Sequence, residues 1–513
     1  MLIKLILLIL FFAVMIAVGV YCRKHATDVN GFVLGGRSVG PWLTAFAYGT
    51  SYFSAVIFVG YAGQFGWKFG IASTWIGLGN AFIGSLLAWV ILGRRTRVMT
   101  QHLDSATMPE FFEKRFQSRS LKLWASIIIF IFLIPYTASL YNGLSRLFGM
   151  AFNIDYTVCI ILMAVLTAIY VIVGGYMATA INDFIQGIIM LVGIAAIIVA
   201  VLKVNGGFSG SLAALAAVQD TTVSKQPGVF NSFFGPDPIN LLGVVILTSL
   251  GTWGLPQMVQ KFYAIKSEKS IHQGTIISTL FAIVVAGGCY FLGGFGRIFS
   301  TPEIVSESGF DAIIPAMLSK LSPLLIGITV ILVLSASMST LSSLVLASSS
   351  TLTLDFLDVV VFKKSDEKKR LLSMRILVAV FILISVIIAI VQYKKNVTFI
   401  AQLMGLSWGA LAGSFLAPFL YSLYWKRTTK IACLCSFVWG SGIMLCNMFF
   451  KTAFPAILQS PVNCGAFAML SSLMIVPVIS LLTPAPKKEA ISEIFACYEE
   501  TVTVPITEAL AEK

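Results

Sequence analysis

Long apolar runs separated by short polar loops fill almost the whole chain. Thirteen runs are long enough to cross a bilayer, which takes about 20 apolar residues each. They lie at roughly 2–21, 41–62, 71–92, 121–143, 156–174, 183–202, 239–258, 275–298, 322–351, 372–392, 398–424, 430–450 and 463–483. In lipid, a helix satisfies all its own backbone polar groups. The pattern therefore predicts an all-α polytopic membrane protein with about 13 transmembrane helices.

The distribution of basic residues predicts how these helices are oriented. The net charge is +13, and the loops predicted on one face hold 25 of the 35 Lys and Arg residues, against 9 on the other face. Cytoplasmic loops carry the positive excess. We therefore expect the N-terminus outside and the C-terminal tail inside a plasma membrane. The basic excess then reflects topology and contact with anionic membrane lipid, and no nucleic-acid partner is expected.

Two of the apolar runs are interrupted halfway. The run 41–62 contains Gly49-Thr50-Ser51 at its centre, and the run 239–258 contains Gly251-Thr252 followed by Pro256, which lacks a backbone donor. Gly and Pro are common in membrane helices, so one break alone means little. Breaks at matching positions in two halves of a chain indicate a midplane binding site in a secondary transporter.

Each interrupted run opens a group of five helices. Because five is odd, the second group is inverted relative to the first, which predicts a five-plus-five inverted-repeat core. The predicted organisation is a flanking helix and loop at 1–40, a first repeat at 41–203, an extracellular loop at 204–238, a second repeat at 239–424, two flanking helices at 425–483 and a cytoplasmic tail at 484–513.

Hydroxyl side chains run through the ninth apolar segment, which reads ILVLSASMSTLSSLVLASSSTLTLD over 331–355. Ser339, Ser342 and Ser343 share one helix face because they are three and four residues apart. Such a stripe should face protein or a wet cavity, where hydroxyl oxygens suit a dehydrated small cation. The alternative is close helix packing, with the hydroxyls bonded back to their own helix.

Asp183 is an acidic residue in an apolar region. Carboxylates at membrane depth are usually functional. The alternative is an N-cap for the helix that begins there. The residues alone leave both interpretations open.

The sequence gives little support for nucleotide binding, metal binding by cysteine or histidine, or enzymatic catalysis. No GxxxxGK[ST] motif is present, no cysteines form a CxxC pair, and the three histidines fall in predicted loops. We therefore predict that the protein is not an enzyme, has no organic cofactor and needs no obligatory protein partner.

Five stretches in order resemble the sodium:solute symporter family, over about 2–483. They are Val33-Leu34-Gly35-Gly36-Arg37, Gly174-Gly175 with Asp183-Phe184-Ile185-Gln186, Gly254-Leu255-Pro256-Gln257 with Lys261-Phe262, Met338-Ser339-Thr340-Leu341-Ser342, and Ser407-Trp408-Gly409-Ala410 with Pro418. The resemblance implies alternating access with Na⁺ as the coupling ion. It is strongest to the branch that transports proline.

The resemblance also implies the ion ligands. The main sodium site would use the backbone carbonyls of Thr50, Phe53 and Ala336 and the hydroxyls of Ser339 and Thr340. In some members a second sodium site exists, and its counterparts here are Asp183, Ser339, Ser342 and Ser343.

The substrate pocket diverges from that branch. Tyr52 stands where the proline branch has Asp, and Thr248 and Thr252 stand where it has Trp and Tyr. Val56-Ile57 replaces the Glu-Gln pair of the sugar transporters. The inferred pocket suits a small-molecule substrate such as an amino acid or small carboxylate and consists of Ser51, Ser54, Phe58, Asn80, Tyr136, Thr252, Trp253 and Pro256.

The predicted function is sodium-coupled symport of a small organic solute across a plasma membrane, of a bacterium by resemblance. One alternative is proton coupling through Asp183, with the hydroxyl site inactive. Another is a transporter-like membrane sensor that signals through its tail.

Overall fold

The fold is helical throughout the part of the chain that the structure describes. It is a computed structural model covering residues 2–152, 155–362, 366–395 and 400–499. Within these ranges the single β-type contact is an isolated bridge between Val39 and Ile265. The prediction of an all-α protein is confirmed.

Ten α-helices of the described chain precede residue 238. They are α1 (Leu2–Cys22), α2 (Val29–Leu34), α3 (Pro41–Tyr52), α4 (Ala62–Phe69), α5 (Thr74–Gly79), α6 (Arg94–His102), α7 (Met108–Phe116), α8 (Arg119–Phe152), α9 (Tyr156–Val204) and α10 (Gly207–Ala217). Wider π-helical turns continue three of them, at Val56–Tyr61, Asn80–Leu87 and Trp89–Gly93.

The second half contains thirteen further α-helices among the described residues. They are α11 (Pro238–Leu250), α12 (Pro256–Ala264), α13 (Glu268–Ala282), α14 (Gly288–Gly293), α15 (Pro302–Ser308), α16 (Ile313–Leu318), α17 (Pro323–Thr351), α18 (Asp358–Val360), α19 (Glu367–Lys395), α20 (Ile400–Tyr424), α21 (Lys430–Phe449), α22 (Pro461–Leu482) and α23 (Lys488–Ala496). Further π-helical turns lie at Ile283–Gly287 and Leu352–Leu357, and a 3₁₀ turn at Gly251–Trp253 lies between α11 and α12.

Eleven segments of the described chain are long and apolar enough to cross a membrane. The sequence predicts thirteen. The difference arises at Val56–His102 and Tyr156–Val204, because each continuous helical segment takes in a stretch that the sequence divides in two. Both exceed twice the roughly 20 residues that one crossing needs. The count of thirteen therefore stays a prediction.

Helix α9 bends sharply at Gly175, where φ is 54° and ψ is −151°. Only glycine adopts this conformation without strain, and a Cβ there would lie 2.9 Å from the Phe32 ring. Because α9 continues on both sides of the bend, Asp183 lies in its interior. The alternative interpretation of Asp183 as an N-cap is therefore wrong. The sequence ends one apolar run at 174, where the structure has the bend, but the helix resumes directly after Gly175 and not at 183.

Two helices are interrupted where the sequence predicts it. Helix α3 ends at Tyr52, and Phe53 is extended, with φ −83° and ψ 124°. Leu255 has nearly the same conformation, with φ −82° and ψ 122°, just before α12 begins at Pro256. Proline is favoured at a first helical position because its missing N–H would be unpaired there anyway. Backbone carbonyls near both breaks are thus left without helical partners.

Helix α17 lies in the interior of the protein, packed against α3, α8 and α9. Its hydroxyl side chains from Ser335 to Ser350 are all at most 3% exposed. The expectation that this stripe faces protein is confirmed, and α17 brings the stripe against the break after α3.

The loop before α11 is tied to the helical core by an ion pair. The Arg297 guanidinium lies 2.9 Å from Asp220 Oδ2 and also donates to the Trp67 carbonyl at 2.7 Å. A 2.5 Å hydrogen bond from the Thr222 hydroxyl and the charge of Arg297 hold the pKa of Asp220 below its ordinary value. The described part of this loop is therefore anchored by a carboxylate that must stay ionised.

Candidate sodium site and substrate pocket

Five oxygens from two helices converge at the break after α3. Three are backbone carbonyls, of Thr50 and Phe53 on one side and Ala336 on the other, and two are the hydroxyls of Ser339 and Thr340. These are the five residues that the sequence predicts for the main sodium site. The structure brings all of them together, and each is at most 1% exposed.

The hydroxyls hold this cluster together. Ser339 Oγ donates to the Thr50 carbonyl at 3.0 Å and the Ala336 carbonyl at 2.9 Å. Thr340 Oγ1 lies 3.1 Å from the Thr50 carbonyl, 3.3 Å from that of Phe53 and 3.1 Å from that of Ala336. Each hydroxyl thus reaches both its own helix and the broken one. Simple bonding back to the parent helix would not produce the second set of contacts.

The spacing of these oxygens suits a small cation. Na⁺ has nearly the radius of Ca²⁺, whose oxygen ligands lie about 2.3–2.6 Å away, so neighbouring ligands in an octahedral shell are about 3.4 Å apart. The oxygens here are separated by 2.9–3.3 Å. A shift of a few tenths of an ångström, with the hydroxyl protons turned outward, would open the shell. All five ligands are neutral, as a monovalent cation allows.

The residues predicted for a second sodium site do not form one group in the structure. The Ser342 hydroxyl donates to the carbonyl of Ser339 in its own helix at 2.9 Å. Asp183 and Ser343 instead meet around a residue that the prediction omits, the ammonium of Lys261. The sequence did contain a signal for this residue. Lys261 is a charged residue only five positions after Pro256, close to the interruption of an apolar run.

Four buried polar groups next to the α3 break make no hydrogen bond of normal geometry, although the Tyr136 hydroxyl lies near the Ser54 hydroxyl and the Trp408 indole N–H. They are the hydroxyls of Tyr52, Ser54 and Tyr136 and the indole N–H of Trp408. The ring centroids of Tyr52 and Tyr136 lie 5.7 and 5.9 Å from that of Trp408. We call these four residues the aromatic pocket. Buried polar groups are usually paired, so this cluster is a candidate place for a ligand to bind.

The sequence analysis predicted two of the four residues of the aromatic pocket. Ser54 and Tyr136 are among the predicted substrate residues. Tyr52 entered the sequence argument only as a departure from the proline branch, and Trp408 only as part of a motif. The signal for both was their position, since Tyr52 ends a broken helix and Trp408 lies in the most buried membrane segment, Ile400–Tyr424.

The remaining predicted substrate residues lie around the two breaks. Asn80 and Thr252 line a cavity of about 10 Å³, which Tyr52 also lines and which holds about one water. Thr252 Oγ1 donates to the Gly84 carbonyl at 3.0 Å, and Trp253 Nε1 donates to the Ile83 carbonyl at 3.0 Å. These two side chains thus join the second break to the Asn80–Leu87 turn.

Ser51, Phe58 and Pro256 complete the predicted set. The Ser51 hydroxyl lies 2.8 Å from that of Ser343 and so belongs with Lys261. The Phe58 ring packs 6.4 Å from that of Phe53, centroid to centroid, and Pro256 is the first residue of α12. The structure therefore does not bring the predicted substrate residues together as a single pocket.

Apolar membrane-length helices, two of them interrupted and one of these breaks carrying a cluster of neutral oxygens, are typical of secondary transporters. Residues 32–440 match the model of the sodium:solute symporter family. The chain belongs to this family, which confirms the resemblance seen in the sequence.

Curated relatives agree with this assignment. The chain is 30% identical over 441 residues to the osmoregulated proline transporter OpuE of Bacillus subtilis, covering 85% of this chain and 87% of that protein. It is 31% identical over 451 residues to a sodium/proline symporter of Staphylococcus aureus, covering 86% and 85%.

A solved structure shares the fold. It is a substrate-bound, outward-open Na⁺-coupled sialic acid symporter, with a TM-score of 0.73 at 18% identity, covering 95% of this chain and 99% of that one. A manganese transporter of Eremococcus coleocola aligns with a TM-score of 0.51 at 11% identity.

Proposed function

We propose that this protein carries a small organic solute, an amino acid or a small carboxylate, across a bacterial plasma membrane together with sodium. The observation that carries the proposal is the cluster of five neutral oxygens between α3 and α17. Membership of a sodium:solute symporter family supports sodium as the ion. The bacterial relatives support the location.

The aromatic pocket supports the substrate class. A Trp N–H can only donate, and the three hydroxyls beside it can donate as well. Four donors favour a ligand rich in acceptors, such as a carboxylate. The rings provide apolar walls for the rest of a small molecule. The relatives named as proline transporters are consistent with an amino acid.

The proposed cycle is alternating access. The cavity beside Tyr52 has room for about one water, so an amino acid could enter only after the helices move. We propose that the inverted repeats at 41–203 and 239–424 supply this movement, with the N-terminus outside and the C-terminus in the cytoplasm. Sodium at the main site would link the break in α3 to α17 and so favour the substrate-binding arrangement.

The test has two stages. Purified protein is screened by thermal unfolding against amino acids and small carboxylates, with sodium or with potassium, because a ligand of the folded state stabilises it by mass action. Uptake of any hit is then measured in proteoliposomes. We expect stabilisation and uptake only with sodium. Equal uptake in sodium and potassium at constant pH would overturn the proposal.

A further inference from the structure

A lysine lies at the centre of the second group of predicted ion ligands. Lys261 Nζ donates to Ser343 Oγ at 3.0 Å and lies 3.8 Å from Asp183 Oδ2. It also lies 5.1 Å from the centre of the Tyr176 ring. The Lys261 side chain is 3% exposed and that of Asp183 is fully buried. We call these groups, with Ser51, the lysine cluster.

The lysine cluster joins four helices. Ser51 comes from α3, Asp183 from α9, Lys261 from α12 and Ser343 from α17. The Ser343 hydroxyl contacts both Ser51 and Lys261. A carboxylate and hydroxyls from separate helices are the ligands that a bound cation would also use. Here a cation that belongs to the chain already lies among them.

The ammonium and the carboxylate compensate each other. A buried charge must be paired, and within the described residues Lys261 is the basic group that the structure records in an ion pair with Asp183. Neither Asp183 oxygen accepts a hydrogen bond, so the attraction is that of two charges 3.8 Å apart. Removing either charge alone would leave the other buried without compensation.

A sodium ion bound to Asp183 and Ser343 would lie close to the ammonium. Both groups contact Lys261 Nζ within 3.8 Å, so the two positive charges would be about 4 Å apart. At an effective dielectric constant near 20, this repulsion would weaken binding of the ion about a thousandfold. The site therefore disfavours sodium for as long as Lys261 is present.

We propose that the Lys261 ammonium permanently occupies the position of a second coupling cation, so that the protein binds one sodium ion, at the main site. This inference rests on the proposed function. A tethered cation cannot be released on the other side of the membrane, so it adds no driving force. A membrane potential of 100 mV then contributes about 50-fold to the accumulation of a neutral solute, instead of the square of that value with two ions.

The test counts bound sodium, which needs no substrate. Equilibrium binding of ²²Na⁺ is measured on the purified full-length protein and on Lys261→Met. We expect one ion per chain in the wild type and two in the variant, because the buried Asp183 carboxylate then has no compensating charge and can bind an ion. Two ions in the wild type would overturn the inference, and so would a single ion in a folded Lys261→Met.

Matched variants identify each ion. Lys261→Arg keeps the positive charge and should bind one ion. The double variant Lys261→Met with Asp183→Asn removes both charges and should also bind one, whereas two ions in either variant would overturn the inference. Adding Thr340→Val to Lys261→Met should weaken the main-site ion and spare the new one.

The wild-type count remains decisive if Lys261→Met does not fold. A wild type that binds no sodium contradicts the proposed function itself. A wild type that binds two ions contradicts only the assignment of Lys261. The two failures are therefore distinguishable.

Discussion

Replacing Thr340 by valine removes one of the five oxygens at the proposed main sodium site and leaves the side-chain shape nearly unchanged. The lost hydroxyl contacts three carbonyls, at 3.1 Å from Thr50, 3.3 Å from Phe53 and 3.1 Å from Ala336. The Ser339 hydroxyl still reaches the carbonyls of Thr50 and Ala336. The Phe53 carbonyl loses this partner, and the ion loses a direct ligand.

The size of the effect follows from the loss of one buried polar partner. Removing one polar partner from a buried ion costs about 1–3 kcal/mol, which corresponds to a roughly 5- to 150-fold weaker affinity for sodium. We expect the sodium concentration for half-maximal ²²Na⁺ binding, and for half-maximal uptake once a substrate is known, to rise by this factor.

The control is Thr329→Val on the same helix. Thr329 is buried, and its hydroxyl donates to the Leu325 carbonyl one turn earlier at 2.8 Å, so the variant loses a hydroxyl without touching the site. Thermal unfolding without sodium checks that both variants fold. If Thr329→Val and Thr340→Val show the same sodium dependence, the five oxygens do not form an ion site.

Three further predictions concern substrate, stability and pH. Tyr136→Phe should raise the substrate KM about 5- to 150-fold with little change in sodium affinity. The control is Tyr421→Phe, which should change neither value, because the Tyr421 hydroxyl donates to the Leu473 carbonyl away from the pocket. Equal effects of the two variants would contradict a substrate role for the aromatic pocket. Gly175→Ala should lower the unfolding temperature, because φ is 54° at this position. Gly442→Ala should leave it unchanged, because a Cβ there meets nothing within 4 Å. Equal unfolding temperatures of the two variants would contradict the role of Gly175. The lowered pKa of Asp220 means that its ion pair stabilises the loop above its unfolded pKa and is lost as pH falls through the folded value. Protection against hydrogen exchange over 218–231, measured relative to the intrinsic rate at each pH, should therefore be high at pH 6 and lower below about pH 4. It should be low at both pH values in Asp220→Asn, and high protection in that variant would refute the role of the ion pair.

The interrupted helices and the hydroxyls of the candidate sodium site could be predicted because their signals are local. Pro256 fixes the start of a helix, and glycine with hydroxyl residues marks the α3 break within a few positions. The hydroxyls of Ser339 and Thr340 follow from helical spacing on one apolar segment. Assigning the carbonyls of Thr50 and Phe53 to the same site required the family resemblance, since nothing in the spacing joins segments so far apart in the chain.

The aromatic pocket was harder to predict because it depends on how side chains from different helices pack against one another. Tyr52 and Trp408 lie on different helices, and their pairing follows from packing rather than from a motif. The resumption of the helix directly after Gly175 was missed for a related reason. A glycine with positive φ lets one helix turn and continue, whereas in the sequence the pair Gly174-Gly175 is equally typical of an ending.

Lys261 has a different role in the structure from the one that the sequence predicts. By sequence it is one of the basic residues that place its end of the segment in the cytoplasm, where lysines anchor a helix to anionic lipid. In the structure it is 2% exposed and points into the protein, toward Asp183. The distinction depends on a carboxylate from another helix, because an ammonium enters an apolar interior only where a partner compensates it. Asp183 and Lys261 therefore have to be interpreted as a pair, and the proton-coupling alternative for Asp183 has to account for the lysine beside it.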